Sequence, residues 1–87
     1  MNYAVTGLAS AEQELAALWV NAGNRVAVTT AANQIEALLR KRPAQVGESR
    51  SKSFRILFVD PLAITFEFSK LDRLVRVHHV WRPKTSS

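Results

Sequence analysis

The chain carries its two histidines side by side, within the run VRVHHVWR at residues 75–82. Imidazoles flanked by arginines can bind a metal ion, transfer protons at a phosphate group, or pack in a core. Adjacent residues of a β-strand point to opposite faces, so His78 and His79 cannot bind one metal ion together if this run is a strand. The chain has no cysteine and no cluster of carboxylates accompanies the histidines. The sequence therefore predicts no metal site and no cofactor.

Basic residues are concentrated in one part of the chain. The net charge is +5, and six of the twelve basic residues fall within residues 40–56, which hold a single acidic residue, Glu48. A basic surface attracts polyanions through phosphate contacts and the release of counterions. An ordinary solvated surface has the same composition, so charge alone leaves both interpretations open.

The length and composition indicate one small domain. The chain has 87 residues, of which 47% are hydrophobic, and it can form no disulfide. We expect a single domain over residues 1–83 and a frayed tail over residues 84–87. No apolar run approaches the roughly 20 residues of a membrane span, and the start lacks the pattern of a signal peptide. We therefore expect a cytoplasmic protein with no membrane partner.

Two helices are predicted in the first half of the chain. Ser10 and Gln13 form a capping-box pattern at the start of the first helix, and Gly23 ends it. The second helix is predicted over residues 24–40, and Pro43 prevents its continuation. The link between the two helices is short, so they should form a helical hairpin.

Four segments have the composition and alternation of β-strands. They are residues 2–6, 54–59, 62–68 and 74–81. Short turns separate the last three, which predicts an antiparallel meander. The predicted fold class is α+β, with the order β-α-α-β-β-β and the helical hairpin packed on one face of an antiparallel sheet.

Alternation along the strands assigns side chains to the helix-covered face or to the open face of the sheet. In the last strand, the more apolar set is expected to face the helices: Val75, Val77, His79 and Trp81. His79 is then a core histidine, and His78 shares the open face with Arg76 and Arg82. The first meander strand is expected to place Ile56 and Phe58 in the core, and Arg55, Leu57 and Val59 on the open face. An open face edged by basic groups can bind a phosphate group or an acidic partner.

Several weak motifs follow one another in a characteristic order. They are A-x-x-E-L-A-A-L-W in the first helix, V-x-x-A-A-N-Q-I-E-x-L-L in the second, P-x-x-V-G-E-S-R before the sheet, and R-I-L-F-V-D-P-L-A-I-T-F-E-F with V-R-V-H-H-V-W in the meander. Together they span residues 3–82. In this serial order the chain resembles the RelE/ParE superfamily of bacterial type II toxins.

The resemblance implies a small basic toxin that is held inactive by an acidic antitoxin encoded beside it. One branch of the family cleaves mRNA on the ribosome without a metal: the 2′-hydroxyl of the substrate attacks the adjacent phosphate, and basic side chains stabilise the developing charge. Another branch inhibits DNA gyrase without an enzymatic step. We expect ribosome-dependent mRNA cleavage, with gyrase inhibition as the alternative. A catalytically inactive relative and an unrelated nucleic-acid-binding module remain open.

The resemblance also implies site residues. By position, the catalytic residues are expected to be Lys52, Arg55, His78 and Arg82. The expected phosphate-binding or positioning residues are Glu48, Arg50 and Arg76. Two features differ from the family pattern: Leu62-Ala63 stands where many relatives have an aromatic–arginine pair, and Tyr3, the only tyrosine, is far from the C-terminal end. The gyrase alternative does not require an arginine at Ala63.

Overall fold

The computed structural model describes residues 2–50 and 54–83. The elements in chain order are β1 (Ala4–Gly7), α1 (Ala9–Asn21), α2 (Arg25–Lys41), β2 (Glu48–Ser49), β3 (Phe54–Val59), β4 (Leu62–Ser69) and β5 (Leu74–Trp81). Both helices pack on one face of a five-stranded sheet. The predicted α+β fold class is confirmed. Lys52 and the predicted tail at residues 84–87 lie outside the described residues.

Helix α1 begins one residue earlier than its predicted cap. Leu8 occupies the N-cap position, and no side chain caps the helix. The Leu8 N–H donates to the Val77 carbonyl at 3.0 Å, so the backbone passes directly from the sheet into the helix. The predicted capping box of Ser10 and Gln13 is therefore wrong, because pairing with β5 fixes the start of this helix.

Helix α2 follows its predicted bounds closely. The Asn24 side chain accepts a hydrogen bond from the Ala27 N–H at 3.1 Å, which satisfies one of the unpaired donors of the first turn. Arg40 and Lys41 lie in the last turn, where positive charge favours the helix dipole. One face of α2 is buried: Val28, Ala31, Ile35 and Leu39. Neither described helix has an apolar stretch long enough to cross a lipid bilayer.

The sheet has the strand order β1-β5-β4-β3-β2. Strands β3, β4 and β5 form the predicted antiparallel meander. Strand β1 pairs in parallel with β5, with Ala4 opposite Leu74, so the sheet is mixed. Strand β2 is two residues long, was not among the predicted strands, and pairs with β3 at the sheet edge.

The core lies between the helices and the sheet face that they cover. Phe66 in the central strand is completely buried, at 0% exposure, and Leu39 of α2 reaches the same value. The other strand residues of the core are Leu57, Leu62, Ile64, Val75 and Val80. Burying a side chain of this size stabilises the folded state by about 1.5–3 kcal/mol.

Strand β3 presents the opposite face to the one predicted. Leu57 pairs with Ile64 of β4 and is buried in the core, whereas Phe58 is 55% exposed on the open face with Ile56. The prediction of Ile56 and Phe58 as core residues is therefore wrong, as is the prediction of Leu57 and Val59 on the open face. Strand β3 is apolar on both sides, so its pairing with β4 decides which side is covered.

Strand β5 contains a β-bulge that changes its alternation. Thr65 of β4 lies opposite His79, but the next residue, Phe66, lies opposite Val77, which leaves His78 as the extra residue. Val80 consequently turns into the core, and the His79 side chain is 62% exposed. The predicted core position of His79 is wrong. Trp81, also predicted in the core, is only half-buried and pairs with Ala63.

Candidate functional site on the open sheet face

Four side chains on the uncovered face of the sheet form one contact group, here termed the open-face cluster: Phe54, Glu67, Arg76 and His78. Pairing places Phe54, Glu67 and Arg76 opposite one another on three adjacent strands. His78 lies beside them at the bulge of β5. Bulges bend a strand and re-aim its side chains, and they are frequent beside functional sites.

The Glu67 carboxylate lies at the centre of the open-face cluster. His78 Nε2 is 2.9 Å from Glu67 Oε1, which is hydrogen-bond distance. Arg76 NH1 is 3.8 Å from the same oxygen. The Phe54 and His78 rings are 4.9 Å apart between centroids, tilted by 57°. Glu67 and Phe54 therefore contact the imidazole, and Arg76 contacts Glu67. Together these three side chains hold the ring in place.

This arrangement leaves part of the imidazole available to a ligand. The His78 side chain is 25% exposed, and among residues 2–50 and 54–83 its Nδ1 atom has no hydrogen-bond partner. The Arg76 side chain is 52% exposed, so its guanidinium can contact a bound anion in addition to Glu67. An oriented imidazole beside an accessible guanidinium can bind a phosphate group and transfer a proton to or from it.

Arg55 lies on the helix-covered side of β3, opposite Phe66. Its guanidinium donates two hydrogen bonds to the backbone before β2: Nε to the Val46 carbonyl at 2.8 Å, and NH2 to the Gly47 carbonyl at 2.9 Å. The predicted position of Arg55 on the open face is therefore wrong. The side chain anchors the loop instead.

The anchored loop packs closely against β3 at Gly47. Gly47 has a φ of +75°, a backbone conformation that residues with a Cβ atom rarely adopt. A Cβ atom at this position would lie 2.4 Å from the Ile56 carbonyl oxygen. Only glycine allows this approach without a shift of the backbone. The hydrogen bonds from Arg55 thus stabilise a loop whose path is already tightly constrained.

The remaining predicted site residues are distributed around the open-face cluster. Arg50 and Glu48 form an exposed ion pair at 3.3 Å, and the Arg50 N–H donates to the Phe54 carbonyl at 2.9 Å. Arg82 is exposed immediately after β5. The structure brings Arg76 and His78 together, leaves Glu48, Arg50 and Arg82 outside the cluster, and does not describe Lys52.

Sequence reasoning missed two members of the open-face cluster, Phe54 and Glu67. Glu67 could have been recognised from the sequence, because it is the one charged residue of the strand LAITFEFS. A lone carboxylate between two phenylalanines needs either solvent or a partner. Phe54 had no such signal, since its strand is apolar on both faces.

His79 occupies a different environment from His78. Its Nδ1 atom is 3.5 Å from Glu14 Oε1 of α1, and the same carboxylate oxygen accepts a hydrogen bond from the Val80 N–H at 3.3 Å. Glu14 therefore covers part of the β5 edge beyond the end of β1. Within the described ranges, no three acidic or imidazole side chains are grouped closely enough to hold a metal ion.

Comparisons with known proteins identify the fold. No protein-family model and no curated protein matches the sequence. Among solved structures, a chain of the toxin–antitoxin complex RelBE2 from Mycobacterium tuberculosis superposes with a TM-score of 0.79 at 13% identity, covering 95% of this chain and 93% of that one. A chain of the chromosomal ParDE toxin–antitoxin system from P. aeruginosa has a TM-score of 0.71 at 17% identity, covering 94% and 97%.

The isolated RelE toxin from E. coli is also similar, with a TM-score of 0.63 at 15% identity, and the match covers 97% of this chain and 87% of that one. All three matches extend over nearly the whole chain, although few residues are identical. The chain therefore has the fold of the RelE/ParE toxin superfamily, as its sequence motifs predicted.

Proposed function

We propose that this chain is the toxin of a type II toxin–antitoxin pair, and that it arrests growth by metal-independent, ribosome-dependent cleavage of mRNA. The observation that carries the proposal is the 2.9 Å contact between His78 and Glu67 on an uncovered face of the sheet. A carboxylate that holds an imidazole in one orientation is a recurrent arrangement for proton transfer. The fold and the order of the sequence motifs support the proposal that the chain is such a toxin.

In the proposed reaction, the substrate 2′-oxygen attacks the adjacent phosphorus while the bond from phosphorus to the 5′-oxygen breaks. The 2′-hydroxyl loses a proton and the leaving 5′-oxygen gains one, which yields a cyclic phosphate and a free 5′-hydroxyl. We assign one of these two proton transfers to His78 Nδ1. Glu67 orients the ring, and Arg76 offsets negative charge on the phosphorane. Roles for Glu48, Arg50, Lys52 and Arg82 stay predictions.

An acidic antitoxin is the proposed regulatory partner. Arg76 is half-exposed on the open face, and Arg82, six residues further along the chain, is also exposed, so an extended segment with carboxylates can cover both and occlude His78. The similar chains from M. tuberculosis and P. aeruginosa belong to a toxin–antitoxin complex and a toxin–antitoxin system. Co-expression with the gene next to this one should relieve growth arrest if that gene encodes the antitoxin.

The neighbouring histidines provide a matched pair of variants for testing cleavage. The full chain, His78→Gln and His79→Gln would each be induced in cells, with ribosome-associated mRNA mapped for new 5′ ends. His78→Gln should reduce cleavage by roughly 10²–10⁴-fold, as removal of an acid–base group does. His79→Gln should cleave like the parent chain. Thermal melts of the purified variants would verify that both are folded. Equal cleavage by the parent chain and a folded His78→Gln would refute the assignment.

Gyrase inhibition is the second candidate, and two observations favour it. The fold also matches the ParDE chain over 97% of that chain's length. In addition, Ala63, which lies opposite the exposed Phe58, stands where the resemblance to the RNA-cleaving branch leads one to expect an arginine. Loss of DNA supercoiling and induction of the SOS response, with intact mRNA, would establish this activity and exclude cleavage. A chain that produces neither effect would exclude both functions.

A further inference from the structure

The end of the open face away from the open-face cluster is apolar. Phe58 is 55% exposed there, although phenylalanine is usually buried. Pairing places Phe58, Ala63 and Trp81 opposite one another on β3, β4 and β5. Ile56 lies in the adjacent row and is half-buried. The exposed ring is therefore part of an apolar row across three strands, which distinguishes it from an isolated surface residue.

Charged and polar groups adjoin this apolar row. His79, opposite Thr65 in the neighbouring row, contacts Glu14 of α1 at the strand edge and has a 62% exposed side chain, and the exposed Arg82 follows Trp81 directly. Phe58 and Phe54 are four residues apart on β3, a separation of about 13 Å along the strand. One sheet thus presents the open-face cluster with its half-exposed Arg76 guanidinium, an exposed aromatic ring and polar groups near that ring.

We propose that Phe58 is a stacking residue for a base of single-stranded RNA. This inference rests on the proposed function, since it identifies where a base of the same substrate binds. Single-stranded nucleic acids are bound by surfaces that combine cations for the backbone with aromatic rings for the bases. A strand whose phosphate contacts Arg76 and His78 would reach Phe58 within a few nucleotides. An apolar protein segment is the competing occupant, but the exposed guanidinium groups of Arg76 and Arg82 complement a polyanion.

Phe58 variants measured with two RNA probes would test the proposal. The probes are a short single-stranded oligoribonucleotide and the same oligonucleotide with an abasic site at successive positions. The full chain should bind the intact probe more tightly than one of the abasic probes. Phe58→Ala should lose roughly 5- to 150-fold in affinity, Phe58→Leu should lose nearly as much, and Phe58→Trp should retain binding, because stacking requires a ring.

The control is Leu71→Ala, which removes an apolar side chain that is 94% exposed in the turn between β4 and β5 and should bind like the parent chain. Full binding by Phe58→Leu, or equal binding of intact and abasic probes by the parent chain, would overturn the stacking assignment and favour a protein partner. Base-dependent binding that requires Phe58, in a chain that cuts no mRNA, would support stacking while refuting the proposed cleavage. Failure of the stacking proposal and failure of the cleavage proposal therefore give different results.

Discussion

The two faces of the sheet use the same strands for different purposes. On the helix-covered face, Phe66 is completely buried and Arg55 donates two hydrogen bonds to backbone carbonyls. On the open face, His78 is held by Glu67 yet remains partly exposed, and Phe58 projects a largely exposed ring. Residues one position apart in a strand thus differ in whether they stabilise the fold or remain available to a ligand.

Residue type alone therefore does not identify a site residue on a strand. Arg55 has the chemistry of a phosphate ligand, but it faces the loop before β2. Phe58 has the chemistry of a core residue, but no described helix covers it. The face that a residue occupies is set by strand pairing, and substitutions on the two faces should therefore separate stability from activity.

Stability should be most sensitive to substitution on the covered face, at Phe66. Phe66→Ala removes a completely buried ring from the central strand, and it should lower the free energy of unfolding by about 3–5 kcal/mol. Phe58→Ala removes the same ring from the open face and should change it by less than about 1 kcal/mol. Chemical denaturation of both variants would measure the contrast. Similar losses in the two variants would show that both faces are buried in solution.

An intermediate effect is expected at Arg55. Arg55→Ala removes two hydrogen bonds from a partly buried guanidinium to the loop carbonyls, and we expect a loss of about 1–3 kcal/mol in unfolding free energy. Arg50→Ala, which breaks an exposed ion pair with Glu48, is the matched control and should cost at most about 0.5 kcal/mol. An Arg55→Ala variant that is inactive at unchanged stability would instead place this guanidinium at the substrate.

The smallest expected effect is at His79. Its side chain is 62% exposed and contacts Glu14 at 3.5 Å, so His79→Gln should change the unfolding free energy by no more than about 0.5 kcal/mol. Thermal or chemical unfolding beside the parent chain would measure this. A clear loss of stability would indicate that the ring is packed in solution, and the bulge in β5 would then have to be placed elsewhere.

The sequence was sufficient for most of the secondary structure. Helix α2, strands β3 to β5 and the antiparallel meander all follow from local periodicity and turn residues, and they lie within about a residue of the predicted bounds. The parallel pairing of β1 with β5 was not predicted, because it joins segments at opposite ends of the chain. The residues of β2 carry no strand pattern, since this strand is only two residues long.

The candidate site was only partly predictable. His78 and Arg76 were correctly placed on the open face, because β5 alternates regularly up to that point. The orientation of β3 could not be deduced, since FRILFV has apolar residues on both sides and only its register with β4 distinguishes them. His79 was misplaced for a different reason: a bulge reverses the alternation, and its position depends on the partner strand rather than on local sequence.

The bulge in β5 also affects how the chain tolerates changes in length. Strand β5 has one residue more than its partner requires between Val77 and Val80, and that residue is a histidine. Deleting His79 would leave a single histidine opposite Thr65 and keep both valines facing the helices. Deleting a residue elsewhere in the strand would turn its apolar residues outward. An alignment of β5 with a similar protein that lacks the bulge should therefore contain a one-residue gap at the paired histidines.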